Sequence, residues 1–440
     1  MAAKKDIFSG SVKISQAKGL RGEISVPGDK SISHRSVMLG SIADGVTEVT
    51  GFLEGEDNLS TIGAFRSMGI SIDAPGHGKV VIHGKGMDGL REPEDIIDAG
   101  NSGTTTRLLT GILSAQPFFS VITGDSSLRK RPMKRVVEPL IKMGARISGR
   151  KGGSLLPLAI TGARLKGVYY KTPVASAQLK SALLLAGIYA DGETAIEEPE
   201  RSRDHTERML KLFGAYVKTK GNSVIVNSTK RLNGCKIKIP GDISSAAFFV
   251  AGALITSGSE LLIKDVGVNP TRTGVINILK KMGGSIEILN EREASGEPVA
   301  DILVKSSRLK GVEVNWQELL SAIDEFPIIC VAAAFAEGTT RITGAGELRV
   351  KESDRIAVMS GSLSSIGVKN KEEKEGITIE GLGTIEAEGG EVESHGDHRI
   401  AMSMAMAGLK CRKGVSISGA ASVDVSFPGF FKTLSGVTVL

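Results

Sequence analysis

Apolar and polar positions along this chain keep two rhythms that exchange places at regular intervals. Glu23–Val26 alternates with the period of a strand and ends at Pro27-Gly28, after which Ser31–Ser41 carries apolar residues at helical spacing. Val46–Phe52 reads as a strand, Leu59–Met68 as a helix, and Ile70–Asp73 with Lys79–His83 as a pair of strands. This β-α-β-α-β-β order recurs. First helices rich in small apolar residues are expected at Ser33–Asp44, Thr104–Ala115, Ala177–Ala190, Ser244–Thr256, Phe326–Ala336 and Asp397–Gly408. Second helices are expected to end at Met68-Gly69, Met143-Gly144, Phe213-Gly214, Met282-Gly283, Ile366-Gly367 and Ser435-Gly436. Those glycines stand 69 to 84 residues apart. A repeat of that length is too long for a helical solenoid, so each copy should be a small α/β module in its own right.

Composition agrees. Six modules divide a 440-residue chain most naturally into two groups of three, and 41% hydrophobic residues are ample for their cores. The 55 glycines, with aromatics at only 4%, point to tight turns and closely packed helices. The longest apolar runs, Ala182–Ile188 and Phe326–Phe335, fall far short of a membrane span, and no apolar stretch follows the first lysines to make a secretory signal. Cys235, Cys330 and Cys411 are isolated, which fits small packed residues in a reducing compartment and no structural metal site. A net charge of +6 is modest, and one Trp with four Tyr offers few stacking platforms for single-stranded nucleic acid. Small acidic ligands suit the balance better.

Two motif-like strings mislead. Gly84–Gly89 has the GxGxxG spacing of a dinucleotide loop, but Leu90–Glu94 follows where a helix should open. Gly28-Asp29-Lys30-Ser31 ends like a phosphate-binding P-loop, yet Glu23 stands where its first glycine belongs. The underlying physics survives that failure, because a Gly-containing turn into a helix presents backbone N–H groups whose dipoles favour an anion. Lys30, Ser31 and Arg35 add two charges and a hydroxyl there. A capping serine with solvated cations would explain one such cluster. Recurrence argues for more: Asn101, Ser102 and Gly103, then Ser176 and Gln178, then His398 and Arg399 sit at equivalent helix starts. Arg131, Arg203 and the run Lys351–Arg355 open the second helices. Modules packed about a pseudo-threefold axis would aim these starts towards one end of each domain, and two facing domains would enclose a cationic cleft for phosphorylated small molecules. Asp324 and Glu352 lie among these cations and are candidates for proton transfer, although helix caps and ion-pair partners have the same composition.

PGDKSISHR (Pro27–Arg35), GNSGTTTR (Gly100–Arg107), RKRPM (Arg129–Met133), ASAQLKSA (Ala175–Ala182), VKESDR (Val350–Arg355) and GDHRIAM (Gly396–Met402) together resemble the 5-enolpyruvylshikimate-3-phosphate synthase family, over essentially the whole chain and in the right order. The resemblance implies an enolpyruvyl transferase fold, an inside-out α/β barrel of two domains with three β-α-β-α-β-β repeats each. Residues 28–240 would form one domain, 1–27 with 241–440 the other, with crossovers near Pro27 and Pro240 and the active site in the cleft between them. It also implies transfer of the enolpyruvyl group of phosphoenolpyruvate to the 5-hydroxyl of shikimate 3-phosphate, by addition–elimination through a tetrahedral intermediate, without cofactor or metal.

Carried over by motif, Asp324, Glu352 and Lys30 would share the acid and base roles. Lys30, Ser31, Arg35, Ser176, Gln178, Arg203, Asp324 and Lys351 would hold shikimate 3-phosphate. Lys30, Gly103, Arg131, Gln178, Arg355 and Arg399 would hold phosphoenolpyruvate, with Asn101, Ala177 and His398 close by. Ala177 stands where one common form of the family has a second serine; this, Val425 and the Ser202–Glu207 segment match the family's second sequence class. Gly103 leaves room for glyphosate, which occupies the phosphoenolpyruvate subsite in the family. The nearest alternative, UDP-N-acetylglucosamine enolpyruvyl transferase, carries a reactive cysteine in the loop matching Thr123–Pro132, where this chain has none. A non-catalytic binder of phosphorylated metabolites is the other alternative. The family reading further implies a cytoplasmic, monomeric enzyme with no membrane or nucleic-acid partner.

Overall fold

The computed structural model describes residues 10–440 and resolves the repeats into six sheets. In the second copy, Ile97–Asp98 runs parallel to Phe119–Thr123, which pairs antiparallel with Leu155–Thr161, and Arg146–Gly149 pairs with that strand from the other side. The parallel pair requires a crossover, supplied by the helix Gly103–Leu113, whereas the two final strands need only a tight connection. The third copy repeats this order with Tyr169–Lys171, Glu193–Glu197, Val217–Lys220 and Ser223–Asn227, and the fifth with Glu313–Val314, Glu337–Ile342, Asn370–Glu373 and Gly376–Leu382.

The first and fourth copies exchange their opening strands. Lys236–Lys238 lies parallel to Asp44–Thr50 in the first copy's sheet, and Gly19–Ser25 lies parallel to Glu260–Gly267 in the fourth's. The strand whose alternation reads as the start of copy one therefore serves copy four. The sixth copy is abbreviated: Gly390–Glu393 and Val415–Ser418 are completed by Val12–Ile14. Five second helices end at a left-handed glycine as expected, at Gly69, Gly144, Gly214, Gly283 and Gly367. The sixth differs, because Phe430–Val437 runs straight through Gly436 and then pairs Thr438–Val439 with Gly19–Leu20.

The chain forms two compact units. One comprises Gly28–Pro240 with Glu293–Glu297; the other comprises the segment ending at Pro27, Gly241–Arg292 and Pro298–Leu440. Residues 293–297, expected with the second group, belong to the first because polar contacts fix them there: Glu297 Oε1 lies 2.8 Å from His205 Nδ1, and Arg208 Nη1 donates to the Gly296 carbonyl at 2.9 Å.

The first helices form the cores. Gly103–Leu113 packs against Ala177–Gly187 and against Lys30–Ser41 in one unit, while Ile243–Ile255, Phe326–Ala334 and His398–Gly408 pack pairwise in the other. All thirteen residues of Ile243–Ile255 are buried, so its sequence is apolar on every side and lacks an amphipathic stripe. Small residues allow the close approach: a Cβ on Gly111 would stand 2.2 Å from the Ala182 carbonyl oxygen. Among the described residues no helix is long and apolar enough to cross a membrane. All three cysteines are free, and burial raises the thiols of Cys235 and Cys411 to about 11 and about 12, which suits packing and not nucleophilic chemistry.

Candidate active site

In the unit built on Gly28–Pro240, three helix starts carry the predicted residues. The first begins at Lys30, one residue before its apolar pattern at Ser31–Ser41 and three before the small-residue stretch that opens at Ser33, because Asp29 caps it by accepting the Ile32 N–H at 2.9 Å. Lys30 and Ser31 thus stand in the first turn. Lys30 is half-buried and paired with Asp57. Arg35, one turn on, is buried: Nε donates to Thr206 Oγ1 at 2.7 Å, Nη1 to the Ser31 carbonyl at 2.9 Å, and Nη2 to Ser181 Oγ at 2.8 Å. Burial, opposed by Glu207, lowers its pKa to about 10. Arg35 therefore braces Ser31 from inside the unit.

At the second start Ser102 caps the helix through the Thr105 N–H. Asn101 Oδ1 accepts Arg131 Nη2 at 2.6 Å, while its amide donates to Asp125 Oδ2 at 2.7 Å. Arg107 Nη1 donates to Gln178 Oε1 at 2.8 Å, and Gln178 Nε2 donates to Thr104 Oγ1 at 3.2 Å. Gly103 lies under both arginines, since a Cβ there would sit 2.7 Å from Arg107 Nη1 and 3.7 Å from Arg131 Nη1. Asn101, Gly103, Arg131 and Gln178 thus come together around one helix terminus. Arg131 does not open its helix as expected; it follows a short turn, Leu128–Lys130, and precedes Lys134–Lys142.

At the third start Ser176 caps Ala177–Gly187, its hydroxyl accepting the Leu179 N–H, with Ala177 as the first helical residue. Arg203 stands in the loop before His205–Leu212 and not within that helix.

In the other unit Asp324 lies in the turn Ile323–Glu325, immediately before Phe326–Ala334. Its Oδ1 is 3.6 Å from Arg355 Nη1 and 4.0 Å from Lys351 Nζ, and its carbonyl accepts Arg399 Nη1 at 3.1 Å. Arg355 is buried and donates to Glu352 Oε2 at 2.7 Å and to Asp397 Oδ2 at 2.8 Å. Burial disfavours its charge, but Asp397, Glu352 and Asp324 outweigh that and raise its pKa. Asp397, where burial resists ionisation and Arg355 overcomes it, is held below its ordinary value. Asp397 also caps the helix carrying His398 and Arg399 through the Arg399 N–H at 3.0 Å. Asp324, Lys351, Glu352, Arg355 and Arg399 are thereby gathered at one place, with His398 on the adjoining turn. The arrangement sets two carboxylates, able to exchange protons, beside fixed cations able to hold anionic groups.

Several contributors escape the sequence reading. Glu325 is fully buried, accepts a hydrogen bond from Ser244 and lies 3.7 Å from Arg399 Nη1; Arg272 donates to the same Ser244 hydroxyl at 2.7 Å. Lys180 is buried between Glu198 and Glu207, 2.8 Å from each. The one available signal was a charge inside an otherwise apolar helix, as in Gln178-Leu-Lys180-Ser-Ala182.

Comparison with known proteins identifies the family and the fold. Residues 14–434 match the family model described as EPSP synthase (3-phosphoshikimate 1-carboxyvinyltransferase). The chain is 59% identical over 424 residues to the 3-phosphoshikimate 1-carboxyvinyltransferase of Pelobacter propionicus, covering 96% of this chain and 98% of that one. Among solved structures it is similar to EPSP synthase from Acinetobacter baumannii, with 52% identity, a TM-score of 0.89 and 98% of each chain covered. The enolpyruvyl transferase NikO from Streptomyces tendae, at 14% identity, TM-score 0.77 and 98% coverage of both chains, shares the fold. With its motifs, its sheets and nearly its whole length in agreement, the chain belongs to the EPSP synthase (3-phosphoshikimate 1-carboxyvinyltransferase) family.

Proposed function

We propose that this enzyme forms 5-enolpyruvylshikimate 3-phosphate from phosphoenolpyruvate and shikimate 3-phosphate. The acceptor's 5-hydroxyl loses its proton and its oxygen bonds to C2 of phosphoenolpyruvate, while C3 gains a proton. The tetrahedral intermediate then loses a proton from C3 as the C2–O bond to phosphate breaks and phosphate departs. In this reading Asp324 takes the hydroxyl proton, and Glu352 and Lys30 exchange protons at C3. Lys30, Ser31, Ser176, Gln178, Arg203 and Lys351 hold shikimate 3-phosphate, with Arg35 behind Ser31. Gly103, Arg131, Arg355 and Arg399, together with Lys30 and Gln178, hold phosphoenolpyruvate, and Asn101 orients Arg131. Oriented arginines suit this chemistry, since substrates and intermediate are all multiply charged.

The observation that carries the reading is the convergence of Asp324, Lys351, Glu352, Arg355 and Arg399, a proton acceptor within reach of three cations. In this reading the enzyme acts as a cytoplasmic monomer, without metal, cofactor or nucleic acid. Purified protein should release phosphate from phosphoenolpyruvate only when shikimate 3-phosphate is present. Release with UDP-N-acetylglucosamine instead, or with neither acceptor, would overturn it.

A further inference from the structure

The buried network beneath the third helix start is chemically unusual for a core. Glu198 is 2% exposed and lies just past the strand Glu193–Glu197. Its Oε1 accepts the Ser176 N–H at 3.0 Å and the Ser202 hydroxyl at 2.6 Å, and its Oε2 accepts the Ser202 N–H at 3.2 Å. One carboxylate therefore ties the cap residue of Ala177–Gly187 to the loop that carries Arg203. Lys180 holds that carboxylate from below: Nζ is 2.8 Å from Glu198 Oε2, 2.8 Å from Glu207 Oε1, and donates to the Ser202 carbonyl at 3.2 Å. Burial opposes its charge, yet Glu207 and Glu198 outweigh that, so Lys180 stays an ammonium group. A buried trio of this kind adds little net stability over an apolar packing of the same volume, whereas breaking it is costly. Its fixed geometry is what an apolar core would not supply.

We infer that Glu198, held by Lys180, is a positioning residue for the phosphorylated acceptor, setting Ser176 and the Arg203 loop at the spacing that a phosphate group spans. The inference rests on the proposed function, because it takes Ser176 and Arg203 as acceptor contacts. It adds a residue that touches no substrate, and it assigns the network to one substrate only. Replacing Glu198 with Gln keeps the shape but turns an amide donor either towards the Ser176 N–H or towards Lys180 and the Ser202 N–H, so the two backbone attachments cannot both persist.

The test is steady-state phosphate release by Glu198→Gln, with each substrate varied in turn. The Michaelis constant for shikimate 3-phosphate should rise about tenfold, the loss of a charge-assisted contact, while that for phosphoenolpyruvate stays put. In a Ser176→Ala background the same substitution should have a smaller effect, because one of the two contacts it positions is already gone. Equal changes in both constants, or full additivity with Ser176→Ala, would overturn the inference. Should Glu198→Gln not fold, the neutral pair Lys180→Met with Glu198→Gln provides the same readouts. Wild-type enzyme in the same assay separates the two claims: no turnover with shikimate 3-phosphate sinks the proposed function, whereas normal turnover with an unaltered variant sinks only this inference.

Discussion

A methyl group at Gly103 should damage phosphoenolpyruvate binding while leaving the fold intact. The Cβ of Gly103→Ala would stand 2.7 Å from Arg107 Nη1, where ordinary contact begins at 3.4 Å, so the guanidinium tip must retreat by roughly 0.7 Å. The atom in the way is the end of a flexible side chain, and alanine is the better helix former by up to about 1 kcal/mol, so the backbone has no reason to yield. What is lost is the 2.8 Å hydrogen bond from Arg107 to Gln178, which a retreat of that size breaks. A hydrogen bond to a charged group contributes about 1.5–3 kcal/mol, so a rise of about tenfold in the Michaelis constant for phosphoenolpyruvate is expected. The constant for shikimate 3-phosphate should rise much less, because Lys30, Ser31, Ser176, Arg203 and Lys351 hold that substrate besides Gln178, and the melting temperature should hold or increase. Phosphate release with each substrate varied at saturation of the other, together with a thermal melt, tests both halves. A lowered melting temperature, or equal weakening of both substrates, would refute the reasoning. So would an undiminished effect of the methyl in an Arg107→Ala background.

Asp324→Ala should leave binding of both substrates largely intact while turnover falls by about 10² or more, as expected for removal of a general base; near-normal turnover would reject that role. His34 is fully buried and burial lowers its pKa from 6.5 to about 3, with Asp57 opposing. Because the folded pKa lies below the unfolded one, its contribution is complete above pH 6.5 and is lost as pH falls towards 3, with about 2 kcal/mol gone by pH 5. Denaturant midpoints of a His34→Asn variant should therefore decline less steeply over that interval than those of the wild type, and parallel profiles would exclude the effect. Asp397→Asn removes the fully buried carboxylate paired with Arg355 and should cost about 3 kcal/mol in urea unfolding; a loss below measurement error would mean that Glu352 and Asp324 suffice.

The repeat was legible in the sequence because turn glycines and small-residue helices are local features. Gly69, Gly144, Gly214, Gly283 and Gly367 need a left-handed backbone wherever the rest of the chain goes. Gly436 broke the pattern because the strand after it pairs with Gly19 and Leu20, far away in sequence, and the helix runs on to reach it. Helix starts were less legible. Lys30 is polar and reads as turn, although a cap at Asp29 places it in the helix. The charged residues inside the units were the least legible. Glu325 and Arg35 draw partners from other modules, Ser244 and Thr206, so no short window of sequence holds both members; Lys180 finds Glu198 and Glu207 within its own module, but only after the strand between them has folded back.

Helix capping accounts for where the carboxylate proposed as the base is found. Among the described first helices, Asp29, Ser102, Ser176, Asp242 and Asp397 each spend a side-chain oxygen on the backbone N–H groups of their own helix. Phe326–Ala334 is the exception. Glu325 stands at its cap position without making that bond, and Pro327 fills an early helical position where a missing N–H costs nothing. Glu325 is committed instead to Ser244 and the neighbouring arginines. Asp324, one residue earlier, is spared the capping duty that its counterparts perform and faces Lys351 and Arg355 with its carboxylate. The module without a side-chain cap at Glu325 is thus the one that carries the acid group proposed for proton transfer. The cost was borne by proline and by contacts to the helices on either side.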